Sequence, residues 1–129
     1  CEAPVREAIL ETLRRSDRPG NRMVRSAEYV TQVLAETRGL GYGLRDPDFG
    51  GDFDLGRALA DDGRESLAVP IRLGNHVPGT LNITWTRRVL RRDRAVGLLV
   101  PPAQRAAAEI AARMMHQGVS QGEIKPARD

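Results

Sequence analysis

Residues 66–85 read SLAVPIRLGNHVPGTLNITW, and this stretch constrains the fold more than any other. Two short runs of strand-forming residues flank a Gly-Asn-His turn. In the first run Leu67, Val69 and Ile71 face one way, and Ser66, Ala68 and Pro70 face the other. In the second, Leu81, Ile83 and Trp85 alternate with Thr80, Asn82 and Thr84. The alternation predicts strands over 66–73 and 78–85, joined by a short hairpin connection at 74–77. Pro70 lacks a ladder donor, so its N–H side is expected at an edge or away from a partner. An amide and two hydroxyls on one sheet face either meet water or line a cavity for something small.

The remaining segments place helices around that hairpin. Residues 4–15, PVREAILETLRR, read as a helix, with Pro4 suited to the first turn. Its Val5, Ile9 and Leu13 form a narrow apolar stripe. Pro19-Gly20 breaks the pattern. Ser26 is an N-cap for a second helix, AEYVTQVLAETR, in which Val30, Val33, Leu34 and Thr37 share a face. Gly39 can end that helix, and residues 41–44 are expected as a strand. Residues 45–65 form a long loop, with a helical turn expected at 55–61. Five arginines lie within TRRVLRRDR, which begins the last helical region; such a run is usually a solvated face. Pro101-Pro102 is expected to interrupt that region and a final helix to run over about 102–116. Ala106, Ile110, Ala111 and Met114 are its candidate buried face, and 118–129 is expected to fray. The order of elements predicts an α+β fold, an antiparallel sheet with helices packed on one face.

The chain has 129 residues, the size of one domain, with 40% hydrophobic and 29% charged residues. No apolar run is long enough to span a membrane, and no secretory leader is recognised. Cys1 is the only cysteine, which excludes an internal disulfide and fits a reducing, cytoplasmic compartment. A start on Cys rather than Met marks the chain as an expected fragment. The net charge of +3 is carried almost wholly by arginine. The charges are mixed along the chain, without a stacking set of aromatics or a reading helix, so direct nucleic-acid contact is not expected.

Catalytic and metal chemistry find little support. His76 and His116 are the only histidines, and neither adjoins a nucleophile in sequence. No Gly-x-Ser-x-Gly elbow occurs. GLGYG precedes a strand rather than a helix, so it does not read as a phosphate cradle. Asp46, Asp48, Asp52 and Asp54 cluster, but the spacing and terminal Glu of a calcium loop are absent. Neither an enzyme, a metal site nor a cofactor is expected.

The segment from Glu7 to Met114 resembles the C-terminal effector domain of the isocitrate-lyase-regulator (IclR) family of bacterial transcription factors. The features that carry the resemblance come in family order: REAILETL, EYVTQVLAETRGLGYG, SLAVPIR, GTLNITW and LLVPPAQRAAAEIAARM. LAVPIR followed by LNITW is most like the branch regulating breakdown of aromatic acids. The resemblance implies a GAF-like (profilin-like) antiparallel sheet with flanking helices, incomplete at the N-terminus. Further strands and part of the pocket wall would precede Cys1. It implies a small-molecule effector, with DNA bound through a winged helix-turn-helix outside this chain, and homodimers or homotetramers. Ser66, Ala68, Asn82 and Thr84 fall on strand positions that face the effector in such domains. Arg45 and Arg64 are candidate partners for a carboxylate ligand, and Arg45 reads equally as a surface residue. The chain departs from the family in its longer 45–65 loop, a candidate lid or oligomer contact, and in Thr84-Trp85-Thr86 where Ser-Gly-Pro is usual. The alternative is a GAF-like module that binds no ligand and serves only oligomerisation.

Overall fold

The computed structural model describes residues 3–52 and 55–116, so Cys1 and the expected 118–129 tail lie outside the described residues. The elements in order are α1 (Ala3–Arg15), a 3-10 helix (Pro19–Arg25), α2 (Ala27–Leu40), β1 (Gly43–Leu44), β2 (Arg64–Leu73), β3 (His76–Thr86) and α3 (Arg92–His116). Helix and sheet are thus mixed, as an α+β chain requires. The sheet is antiparallel throughout, in the order β1-β2-β3.

The hairpin forms as its alternation predicts and is longer at both ends. Ser66 pairs with Thr84, Ala68 with Asn82 and Pro70 with Thr80; Leu67, Val69 and Ile71 pair with Ile83, Leu81 and Gly79. The connection is tighter than 74–77: Leu73 pairs with His76, which leaves only Gly74-Asn75 in the turn. Gly74 has φ +59°, and a positive φ at the first turn position alone is the hairpin geometry that glycine supplies without strain. Pro70 is tolerated for a simple reason. The Ser66 carbonyl accepts from Arg45 N–H at 2.9 Å, so it points toward β1. Backbone groups alternate sides along a strand, so the Pro70 nitrogen also points that way. β1 has ended by then, since Gly43 pairs with Ala68 and the chain before it is the turn that leaves α2.

One face of the hairpin packs on α3. Leu67 and Val69, with Val100, Ala103 and Ala107 of α3, form the buried core, and Tyr42, Leu44, Leu81, Ile83 and Trp85 lean on it. Small side chains at Ala103, Ala107 and Ala111 bring the helix close to the strands, so the core is thin. The expected face of α3 is offset from this stripe: Ala111 is buried, whereas Ala106, Ile110 and Met114 are only half-buried.

Three boundaries differ from expectation. Gly41, not Gly39, caps α2; it takes φ 74°, and its N–H returns to the Thr37 carbonyl. The strand expected at 41–44 shrinks to Gly43–Leu44 because Gly41 belongs to the cap. Pro101 and Pro102 do not interrupt α3, which runs through them from Arg92. Both are exposed, so the carbonyls of Gly97 and Leu98 that they leave without a donor turn to water on the solvent side. Ser26 caps α2 as its position predicts, accepting from Tyr29 N–H at 3.2 Å.

α1 and α2 contribute no fully buried residue. The α1 stripe stays exposed, at 52% for Val5 and 49% for Ile9, because among the described elements α1 rests on the 3-10 helix alone.

Candidate functional site

The β2–β3 hairpin turns its second face away from α3. Alternation places Arg64, Ser66, Ala68 and Pro70 of β2 on it, beside Thr86, Thr84, Asn82 and Thr80 of β3. Five of the six residues singled out from sequence therefore share one face: Arg64, Ser66, Ala68, Asn82 and Thr84. Ser66 and Ala68 are half-buried, and Arg64, Asn82 and Thr84 are exposed. Thr80 donates its hydroxyl to Asn82 Oδ1 at 3.3 Å, which leaves the Asn82 amide N–H groups directed by a neighbour yet uncommitted. Among the described residues Ser66 and Thr84 spend no hydroxyl hydrogen bond on the protein, and Arg64 makes no ion pair. Ala68 sits between them as the smallest side chain. Such a surface offers donors on a two-strand frame.

The sixth residue, Arg45, is engaged elsewhere. Its guanidinium pairs with Asp62 at 3.0 Å, donates to the Arg64 carbonyl at 3.2 Å and stacks over Phe49 at 4.6 Å. Of the two arginines, Arg64 makes no side-chain hydrogen bond among the described residues, although its charge helps to lower the Asp62 carboxyl. Its backbone is fixed by the Asp62 carboxylate, which accepts the Arg64 N–H at 3.0 Å. That bond, together with Arg45, holds the Asp62 carboxyl below its ordinary range. Asp61 is held low likewise, by the Gly63 N–H and by Arg87.

The 45–65 segment is built rather than loose. Phe49 bridges to Gly56, Arg57 N–H reaches the Asp48 carbonyl at 2.8 Å, and Asp62 N–H reaches the Gly50 carbonyl at 2.7 Å. The turn expected at 55–61 is a single hydrogen-bonded turn starting at the Gly56 carbonyl. Gly50 is buried where a Cβ would collide with the Ala60 carbonyl. The anchor of the segment is a residue sequence reasoning missed. Glu65, 2% exposed, accepts from Arg57 at 2.8 Å and faces Arg92 at 3.5 Å. Arg92 also donates to the Arg45 carbonyl at 2.7 Å. One carboxylate thereby ties the segment, β2 and the start of α3 together. The available signal was its parity, since Glu65 heads the apolar row Leu67–Val69–Ile71.

A cleft of about 390 Å³ opens elsewhere, between α2 and the chain after β1, lined by Tyr29, Glu36, Tyr42, Arg45, Asp46 and Arg92 among others. Tyr29 donates its hydroxyl to Asp46 at 2.6 Å. Burial pushes the phenol up to about 12, with the hydrogen bond and charge of Asp46 adding to it. The cleft and the polar sheet face are separate features. Among the described residues no group of His, Cys, Asp and Glu is placed to hold a metal ion, and no helix is long and apolar enough to cross a membrane. His76 opens β3 and His116 ends α3.

Comparison with family models, with curated proteins and with solved structures finds no match to this chain.

Proposed function

We propose that this chain is part of the effector-sensing domain of an IclR-type bacterial transcription regulator, GAF-like in arrangement and acting in the cytoplasm. It binds a small carboxylate, of the aromatic-acid class, on the polar face of the β2–β3 hairpin and performs no chemistry. The observation that carries this reading is the gathering of Ser66, Asn82, Thr84 and Arg64, with uncommitted donors, on one sheet face around Ala68. Arg64 supplies the positive charge for the carboxylate, Asn82 and the hydroxyls fix its orientation, and Ala68 gives it room. Binding shifts a conformational equilibrium by the difference in affinity between its two states. The DNA contact belongs to a winged helix-turn-helix outside this chain, and the regulator works as a homodimer or homotetramer.

A thermal-shift series tests the reading. Benzoate, 3-hydroxyphenylpropionate, pyruvate and succinate are each titrated against the chain and its Asn82→Ala variant. A ligand that binds only the folded state raises the melting temperature by mass action. A rise for one acid class that vanishes in the variant supports the sensor. A rise retained in the variant moves the site off this face. The openness of the polar face favours a second reading, a ligand-free oligomerisation module, which predicts no rise for any acid.

A further inference from the structure

We propose that the cleft between α2 and the chain after β1 binds an aliphatic diamine or a longer polyamine. Its volume is about 390 Å³, and three carboxylates line it: Glu36 from α2, and Asp46 and Asp48 from the chain after β1. Glu36 and Asp48 have no side-chain partner among the described residues. Asp46 accepts from two neutral donors, the Tyr29 hydroxyl at 2.6 Å and the Asp48 N–H at 2.8 Å. The two arginines in the wall do not answer these charges. Arg45 pairs with Asp62 at 3.0 Å and Arg92 faces Glu65 at 3.5 Å, and both of those acids lie outside the cleft. The cleft is therefore left with a surplus of negative charge. The Tyr29 phenol lies in the same field, pushed up by burial, then by the hydrogen bond and charge of Asp46 and the charge of Asp48.

The rest of the wall selects the kind of cation. Val33 and Leu40 share a face of α2 with Glu36, at three and four residues' distance, and both are exposed. Tyr42 and Leu44 line the other wall. An alkyl chain suits that apolar surface, and an aromatic ring attracts an ammonium group. Carboxylates on both walls suit a charge at each end of the chain. Among the described residues no group of acids is placed to hold one metal ion, which favours an extended cation over a compact one. The same carboxylates argue against a segment of protein as the occupant. A strand or helix seated here would take them from water without a counter-charge, which is costly. Arg92 of α3 in the wall places the cleft on the helix side of the sheet, so a strand added in line with the ladder does not fill it. The site stands apart from the acid-binding face: a carboxylate ligand is repelled here, and a diammonium finds no carboxylate to pair with among Ser66, Asn82, Thr84 and Arg64.

An amide-resonance titration of the isotope-labelled chain tests it, with 1,5-diaminopentane, pentylamine, pentan-1-ol and glutarate, which share one carbon chain length and differ in charge. The expected result is saturable movement of the Gln32, Glu36 and Asp48 amides with the diamine, weaker movement with the monoamine, and none with the alcohol or the diacid. The double variant E36Q/D48N removes two carboxylates that hold no other side chain, so its circular dichroism is expected to be unchanged. Its dissociation constant for the diamine is expected to rise about tenfold, each exposed ion pair contributing a few-fold factor. An equal response to pentan-1-ol overturns the proposal, since it would show an apolar groove alone. An equal response to magnesium chloride overturns it too, since it would show only screening of the acids. So does the absence of any saturable movement with the diamine, a movement centred on Ser66 and Thr84, or a folded variant that binds the diamine as tightly as the unaltered chain. The comparison of the four compounds on the unaltered chain decides the matter even where the variant fails to fold.

Discussion

Glu65 shows how much a single side chain carries. Its carboxylate is buried between two arginines that are themselves partly exposed, at 18% for Arg57 and 32% for Arg92. Replacing it with alanine leaves those guanidinium groups without their counter-charge, and removing one partner of a buried pair costs about 3 kcal/mol. Urea denaturation of Glu65→Ala is expected to show that loss; a change below about 1 kcal/mol would mean that water already screens the pair. Tyr29 makes a second residue-level prediction. Its phenol is pushed up to about 12 by burial, then by Asp46. A raised folded value means that its contribution to stability is complete below the unfolded value, about 10, and fades as the pH climbs toward 12. Absorbance titration should therefore resolve a late phenolate that is absent in Tyr29→Phe. Asp61 and Asp62 have the opposite sign. Their folded values are depressed, by the Gly63 N–H and Arg87 and by the Arg64 N–H and Arg45 respectively. Their contribution is present above the ordinary Asp range, about 3.9, and is lost as the pH falls through the depressed values. Stability measured down through the acid range should fall less steeply in Asp62→Asn.

The elements divide by what holds them. β2, β3 and α3 share the core, so Leu67→Ala is expected to cost about 3 kcal/mol, read from the urea midpoint. α2 depends on its ends: Ser26→Ala removes the cap bond and is expected to cost about 1 kcal/mol. The two strands and their apolar row were legible in sequence, because alternation is a strong signal and a slip of one residue would expose Leu67 and Val69; the register and the two-residue turn were not. That same alternation put Ser66 with Ala68 on one strand and Asn82 with Thr84 on the other; Arg64 joins them because β2 starts two residues earlier than expected. The end of α2 was misplaced by two residues because two glycines, Gly39 and Gly41, can each take a left-handed cap, and only the chain's course into β1 chooses between them. The continuity of α3 was not legible. A Pro-Pro pair breaks a helix unless the freed carbonyls face water, and which side of α3 faces water depends on its packing against β2. The partners of Arg45 were not legible for a related reason: Asp62 and Phe49 lie on a segment whose internal bridges have no periodic pattern.

At the scale of the whole molecule the structure is uneven. The core gathers at one face of the sheet, while α1 leaves Val5 and Ile9 about half exposed. Hydrogen exchange is accordingly expected to be slowest in β2, the β2-facing amides of β3 and the middle of α3, and fastest in α1; uniform protection would show that α1 is held by something beyond the 3-10 helix. The other face of the sheet presents uncommitted donors, and the central claim is that this face receives the ligand. The most direct test follows the amide resonances of the isotope-labelled chain while 3-hydroxyphenylpropionate, benzoate, pyruvate and succinate are titrated in turn. The account predicts that one class of acid moves the Asn82 side-chain amide, the backbone amides of Ser66 and Thr84, and the Arg64 guanidinium, with saturation. Shifts concentrated instead at Tyr29, Gln32 and Glu36 would place the ligand in the cleft beside α2 and contradict it.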